Sequence, residues 1–179
     1  MVPQLDPGLI VPHPVLSRLP PPLHRALLRI GQPIRLRIWG LMRREVRGCG
    51  VLAFDDAGRL LLVRHSYHEP DRWLLPGGGL ARGEEPARTG ARELLEETGC
   101  ALEQAVWFGS DPRVMPGGWH NRIELVAGQA HGTPHADGRE IAEAAFFALD
   151  ALPPTTGAIV EIALAQWLDW RRRQGSSEG

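Results

Sequence analysis

The chain has 179 residues, of which 43% are hydrophobic and 23% charged, so it can build one sizeable core and is not disordered throughout. Its net charge of -1 gives no overall attraction to nucleic acid or to anionic membranes. The two cysteines lie far apart without a CxxC pair, which indicates neither a zinc site nor a disulfide framework. We find neither a long apolar run nor a secretion signal, so we expect a cytoplasmic protein without a membrane span.

Proline and arginine dominate the N-terminal part of the chain. All 20 basic residues are arginine, and eight of them fall within residues 1–48. The first 22 residues are proline-rich and predict an extended arm, whereas residues 23–46 mix apolar and arginine positions and predict two short helical pieces. We expect residues 1–47 to form an arm that packs on the domain. Formation of a homodimer, or attachment to an anionic surface, is the alternative role for this arm.

The pattern changes to strands and helices near residue 48, which predicts one α/β domain over 48–173 and a flexible tail over 174–179. A mixed sheet with helices packed against it fits the order of these elements. The predicted strands are 48–54, 59–64, a short run at 73–75, 104–108, 121–128 and 143–149. The predicted helices are 86–98, with Pro86 in its first turn and Gly99 as its stop, and 156–172.

Three glutamates lie on one side of the first predicted helix. Glu93, Glu96 and Glu97 have the spacing i, i+3 and i+4, so their like charges repel each other. A divalent cation such as Mg²⁺ or Mn²⁺ would neutralise them, and Arg92 could orient one carboxylate. A solvated acidic face is the alternative explanation for the glutamates alone.

The spacing around these glutamates resembles the Nudix hydrolase signature. Five residues separate Gly78 from Glu84, and seven more separate Glu84 from Arg92-Glu93. The pattern then continues through Leu94, Glu96-Glu97 and Gly99, and Cys100 occupies the last aliphatic position as a small hydrophobe. The flanking runs LLLVRH, WLLPGGG and EIAEAAFFALDALP are also similar to this family.

The resemblance implies an α/β/α sandwich with a mixed β-sheet that hydrolyses a nucleoside diphosphate linked to another group. It also implies Mg²⁺ or Mn²⁺ as cofactor, because water attacks a phosphorus whose oxygens the metal must stabilise. Carried over position by position, it makes Glu93, Glu96 and Glu97 metal ligands, with the Gly78 backbone beside the metal. Arg92 matches the orienting arginine of the family.

The resemblance leaves the general base and the substrate contacts open. Aligning the strand that contains Phe146 puts Glu140 where relatives carry a late catalytic glutamate, and Glu143 is the alternative. Arg64 could contact a phosphate, and Gly77 lets the backbone approach the substrate. Trp119 is the candidate for stacking on a base, whereas we expect Trp107 to pack in the core.

The resemblance implies a small nucleotide as substrate, and Pro116 bears on which one. Related ADP-ribose hydrolases carry a proline about 16 residues after the signature, and Pro116 has that spacing from Cys100. ADP-ribose or a nucleotide sugar is therefore favoured over a nucleoside triphosphate. A binding module without activity is a further alternative, but the signature glutamates, with Glu84 as a structural or supporting one, are all retained.

Overall fold

The computed structural model describes residues 45–66, 71–81, 83–114, 119–136 and 140–176. This part of the chain forms seven strands and two helices. The strands are β1 (Glu45–Phe54), β2 (Leu60–His65), β3 (Trp73–Leu74), β4 (Gly77–Gly79), β5 (Ala101–Val114), β6 (His120–His131) and β7 (Ile141–Phe147). The helices are α1 (Pro86–Thr98) and α2 (Ala158–Gly175). Among the described residues, no helix is long and apolar enough to cross a membrane.

The strands join into one mixed sheet. β1 and β6 run parallel along their length, from Glu45 beside His120 to Phe54 beside Gln129. β5 lies antiparallel to β6 at one edge, and β4 lies antiparallel to β1. β2 pairs antiparallel with both β3 and β7, and it meets β1 where Leu60 lies beside Phe54. The predicted mixed sheet is confirmed.

Side chains of successive strand residues point to opposite faces of the sheet, so the sheet has two apolar faces. One helix covers each face. Val51 and Val126 pack with Leu94 of α1 in one buried cluster. The adjacent Leu52 packs with Val160 of α2 in the other cluster. These two apolar clusters form the layers that the predicted α/β/α sandwich requires.

The element boundaries differ from the sequence-based ones in a few places. β1 begins at Glu45, so three residues of the predicted N-terminal arm belong to a strand. The helical pieces predicted over 23–46 otherwise lie outside the described residues. β5 extends well beyond the predicted 104–108, and α2 continues to Gly175, two residues into the predicted tail. The glycine run at 77–79, which is not among the predicted strands, forms the short strand β4.

Candidate active site

The packing of helix α1 decides where its glutamates point. Pro86 occupies the first turn, where its missing N–H costs nothing, and Gly99 ends the helix in the left-handed conformation with φ 72°. Gly90 lies directly against β1, since a Cβ there would come within 3.0 Å of Val51 Cγ2. This close approach brings the next turn of the helix, with Glu93, onto strand β4.

Two carboxylates of α1 meet the backbone of β4. The N–H of Gly77 donates to Glu97 Oε2 at 3.0 Å. A Cβ built on Gly78 would overlap the carboxylate of Glu93, so any larger residue there would push the end of that side chain aside. The structure therefore brings together the Gly78 backbone and two of the three glutamates predicted as metal ligands.

Arg92 forms ion pairs with three glutamates. Its Nη1 lies 2.9 Å from Glu93 Oε1 and 3.3 Å from Glu96 Oε2, and its Nη2 lies 3.6 Å from Glu84 Oε1. Glu84 Oε2 also accepts the N–H of Ala81 at 3.1 Å. Partial burial lowers the pKa of Arg92, but the charges of Glu93, Glu96 and Glu84 outweigh it and raise that pKa above its ordinary value. Arg92 can thus orient the carboxylates.

Glu93 is the most enclosed of the carboxylates around Arg92, with 16% of its side chain exposed. Burial raises its pKa, the charge of Arg92 opposes that rise, and the negative charges of Glu96 and Glu140 add to it. Glu140 lies just before β7, where its carbonyl accepts the N–H of Ser66 at 2.9 Å. The residue predicted as the general base is therefore close enough to act on Glu93 electrostatically.

The chemistry of this donor set fits a hard divalent cation. Carboxylate oxygens are the ligands that Mg²⁺ and Mn²⁺ prefer, and a cation would offset the repulsion from Glu96 and Glu140 that adds to the effect of burial on the pKa of Glu93. Within the described ranges, no group of three His, Cys, Asp or Glu side chains is arranged to hold a metal ion. The carboxylates are instead engaged by Arg92 and by the N–H of Gly77. Glu93 and Glu96 would therefore turn away from Arg92 to share one ion.

Arg64 lies at the end of β2, where β3 and β7 pair with that strand. Its Nη2 lies 2.5 Å from Glu143 Oε1, and its guanidinium carbon lies 5.9 Å from the centre of the Trp73 ring. The Nε of Arg64 is buried and has no hydrogen-bond partner in the part of the chain that the structure describes. Glu143, the alternative general base, is thus held in an ion pair with Arg64.

The two candidate tryptophans have the environments opposite to those expected. Trp119, predicted to stack on a base, is 7% exposed and offers no accessible ring face, whereas Trp107 is 52% exposed. The prediction that Trp107 packs in the core is wrong, because β5 lies at the edge of the sheet and this part of its surface is not covered. The indole N–H of Trp107 donates to Glu124 Oε2 at 3.0 Å.

Sequence reasoning missed Glu124, a buried carboxylate in the middle of β6. Its Oε1 lies 2.8 Å from Arg47 Nη2 and 3.0 Å from Arg122 Nε. The available signal was a single acidic residue between Ile123 and Leu125, in the apolar middle of this strand. A charge at such a position is rarely buried without partners, and this one has two arginines.

Comparison with known proteins identifies the family. A family model described as the NUDIX domain matches residues 44–168. The chain belongs to the Nudix family. The match includes every strand and all of α1, and it begins one residue before β1.

Several known proteins are similar to this chain. The MutT NUDIX hydrolase from Burkholderia pseudomallei has a similar structure, with a TM-score of 0.61 and 31% identity over 68% of this chain and 97% of that one. The NAD-capped RNA hydrolase NudC of Vibrio atlanticus is 28% identical over 132 residues, which are 73% of this chain and 48% of that protein. The RNA pyrophosphohydrolase of Dinoroseobacter shibae is 34% identical over 84 residues, which are 42% of this chain and 52% of that protein. The chain thus spans about half the length of the curated relatives it matches.

Proposed function

We propose that this chain hydrolyses the pyrophosphate bond of a nucleoside diphosphate linked to a second group, with Mg²⁺ or Mn²⁺ as cofactor. The main support for the proposal is that the carboxylates of Glu93 and Glu97 lie against the Gly77–Gly78 backbone, beside Arg92. The relatives named as NAD-capped RNA hydrolases support this substrate class, since NAD contains a pyrophosphate between two nucleosides. Pro116, which favours ADP-ribose in the sequence, lies outside the described residues.

The carboxylates of α1 would hold the cation. Glu93, Glu96 and Glu97 would provide its oxygen ligands next to the Gly78 backbone, and Arg92 would keep the side chains oriented before the cation binds. A bound cation would offset the negative charge that develops on the phosphate oxygens. Burial of Glu93 and the neighbouring charges of Glu96 and Glu140 both disfavour its ionised form, and a bound cation would offset both effects.

Two residues outside α1 complete the proposed site. Glu140 would accept a proton from the attacking water, because its charge acts on Glu93 and its backbone is hydrogen-bonded to Ser66 just before β7. Arg64 contacts a substrate phosphate, and its ion pair with Glu143 and its packing on Trp73 fix its direction.

Hydrolysis of a triphosphate is the second candidate activity. It is supported by the match to relatives named RNA pyrophosphohydrolase and by the 31% identity to a MutT NUDIX hydrolase. The domain limits at 48–173, a cytoplasmic location and a homodimer formed through the N-terminal arm all stay predictions.

A substrate panel tests the proposal with a matched pair of variants. The full chain is incubated with ADP-ribose, a nucleotide sugar, a dinucleoside polyphosphate or a nucleoside triphosphate, with Mg²⁺ or with EDTA, and products are identified by mass. We expect Mg²⁺-dependent cleavage of ADP-ribose to AMP. In Glu97→Gln the rate of hydrolysis should fall by about a hundredfold or more, because mutation of a residue that only hydrogen-bonds to a metal ligand already costs about tenfold to a hundredfold. Glu161→Gln, on the exposed surface of α2, should keep the wild-type rate.

Two results would contradict the proposal. One is full activity of Glu97→Gln, which would remove the carboxylate cluster from the mechanism. The other is the absence of any product across the panel, which would favour a binding module. A preference for the triphosphate would select the second candidate activity.

A further inference from the structure

Thr89 is a buried polar side chain in the first half of α1. It is 0% exposed, and its hydroxyl donates to the carbonyl of Glu85 at 3.2 Å. The same side chain also forms a hydrogen bond with the carboxylate of Glu84. A hydroxyl has one proton to donate, and a hydrogen bond to an ionised acceptor is stronger than one to a neutral acceptor. The bond to Glu84 is therefore the stronger of the two.

Glu84, which lies just before α1, is held in place by three partners. Its Oε2 accepts the N–H of Ala81 at 3.1 Å, its Oε1 lies 3.6 Å from Arg92 Nη2, and Thr89 is the third partner. Burial raises the pKa of Glu84, but the hydrogen bonds from Ala81 and Thr89 and the charge of Arg92 outweigh it and lower that pKa below its ordinary value. Glu84 is therefore a charged carboxylate with a fixed direction.

The direction of Glu84 matters because of the other two glutamates that Arg92 contacts. Arg92 Nη1 lies 2.9 Å from Glu93 Oε1 and 3.3 Å from Glu96 Oε2. Under the proposed function, these two glutamates leave Arg92 to bind the cation, whereas Glu84 has no contact with the cation. Two positive charges close together repel each other, so Arg92 must keep a negative partner that draws it away from the cation. Glu84 is placed to be that partner.

We propose that Thr89 is a positioning residue for the cation site and that it acts through Glu84. Its hydroxyl keeps the Glu84 carboxylate beside Arg92, and without it Arg92 would compete with the cation for the other glutamates. Thr89 is one of the seven residues between Glu84 and Arg92 whose identity the signature leaves open, so this role belongs to this chain's own sequence. The inference rests on the proposed function, because it concerns the same cation site.

The test measures Mn²⁺ binding to the full chain by isothermal titration calorimetry, without any substrate. Thr89→Val keeps the branched shape of the side chain but lacks the hydroxyl. We expect it to bind Mn²⁺ about tenfold more weakly, because changes in residues that only orient metal ligands cost about tenfold to a hundredfold in affinity. Thr89→Ser keeps the hydroxyl and should bind Mn²⁺ as the wild type does.

Thr98→Val is the matched control for the loss of a buried hydroxyl from α1. Thr98 is also 0% exposed, and its hydroxyl donates to the carbonyl of Leu94 at 2.7 Å. The substitution therefore removes the same kind of bond to the helix backbone as Thr89→Val does, but none to Glu84. Thr98→Val should bind Mn²⁺ with wild-type affinity.

A double-mutant cycle shows whether Thr89 acts through Glu84. Glu84→Ala removes the carboxylate from a side chain that is 27% exposed, and we expect it to weaken Mn²⁺ binding by about tenfold as well. Adding Thr89→Val to Glu84→Ala should cause no further loss, because the hydroxyl then has no carboxylate to hold.

The outcomes keep this inference separate from the proposed function. Wild-type affinity in Thr89→Val, weak binding by Thr89→Ser, an equal loss in Thr98→Val or a further loss in the double variant would overturn the role of Thr89. If the variants bind Mn²⁺ as expected but the wild type hydrolyses nothing in the substrate panel, the proposed function fails and the role of Thr89 stands. A wild type that binds no Mn²⁺ would overturn both.

Discussion

At the scale of single residues, Gly78 illustrates how a missing side chain can make room for a carboxylate. Its neighbour Gly79 belongs to the same strand, yet a Cβ on Gly79 would find no atom within 4 Å, whereas a Cβ on Gly78 would overlap Glu93. Alanine is therefore accommodated at Gly79, whereas at Gly78 it would force the carboxylate of Glu93 to move. This contrast makes the two adjacent glycines a matched pair.

We expect Gly78→Ala to lower the rate of pyrophosphate hydrolysis by about a hundredfold, because Glu93 must leave its position and small displacements in an active site are costly. The rate is measured with Mg²⁺ on the best substrate of the panel. Gly79→Ala should remain within about twofold of the wild type, since its methyl group meets nothing. Equal losses in the two variants would show that the strand itself, and not the contact with Glu93, is disturbed.

The residues that sequence analysis identified and those it missed differ in how local their contacts are. The ion pair of Arg92 with Glu96 follows from the i,i+4 spacing of a helix, which the sequence contains directly. Glu124 and its partner Arg47 are 77 residues apart, so their contact depends on the pairing of β1 with β6. The exposure of Trp107 likewise depends on which strand lies at the edge of the sheet.

At the scale of elements, β4 was the least predictable part of the fold. Three successive glycines have low strand propensity and indicate a turn. The strand forms because it faces the Gly48–Gly50 segment of β1, where the small residues let the two backbones approach closely. Gly77 has φ 153°, and a Cβ there would overlap the carbonyl oxygen of Cys49. Close backbone contact, not side-chain packing, thus defines this element.

We expect Gly77→Ala to lower the free energy of unfolding by about 3 kcal/mol, because overpacking against backbone adds to the cost of the positive φ. Gly58 provides the control, since its φ is also positive at 72° but its Cβ would meet nothing within 4 Å. Gly58→Ala should cost only about 1 kcal/mol. Urea denaturation measures both. Similar losses in the two variants would contradict the close approach of β4 to β1.

At the scale of the whole molecule, Glu124 connects three strands that are distant in sequence. It lies on β6, its partner Arg47 on β1 and its partner Trp107 on β5. Burial raises the pKa of Glu124, but the hydrogen bonds from Arg47 and Trp107 and the charge of Arg122 outweigh it, so its pKa lies below the ordinary value. Folding therefore favours the ionised carboxylate.

The pKa shift of Glu124 predicts how stability depends on pH. A carboxyl whose pKa is lower in the folded state contributes its full stability above the unfolded pKa, near about 4.3, and loses it as the pH falls through the folded value. We expect Glu124→Gln to lower the free energy of unfolding by about 1–3 kcal/mol at neutral pH, and to lose less stability than the wild type on acidification. Urea denaturation between about pH 7 and pH 3 measures this difference. Glu103→Gln, on the exposed surface of β5, should follow the wild-type curve. If the curves of wild type and Glu124→Gln ran parallel into acid, the buried carboxylate would not be the group that links stability to pH.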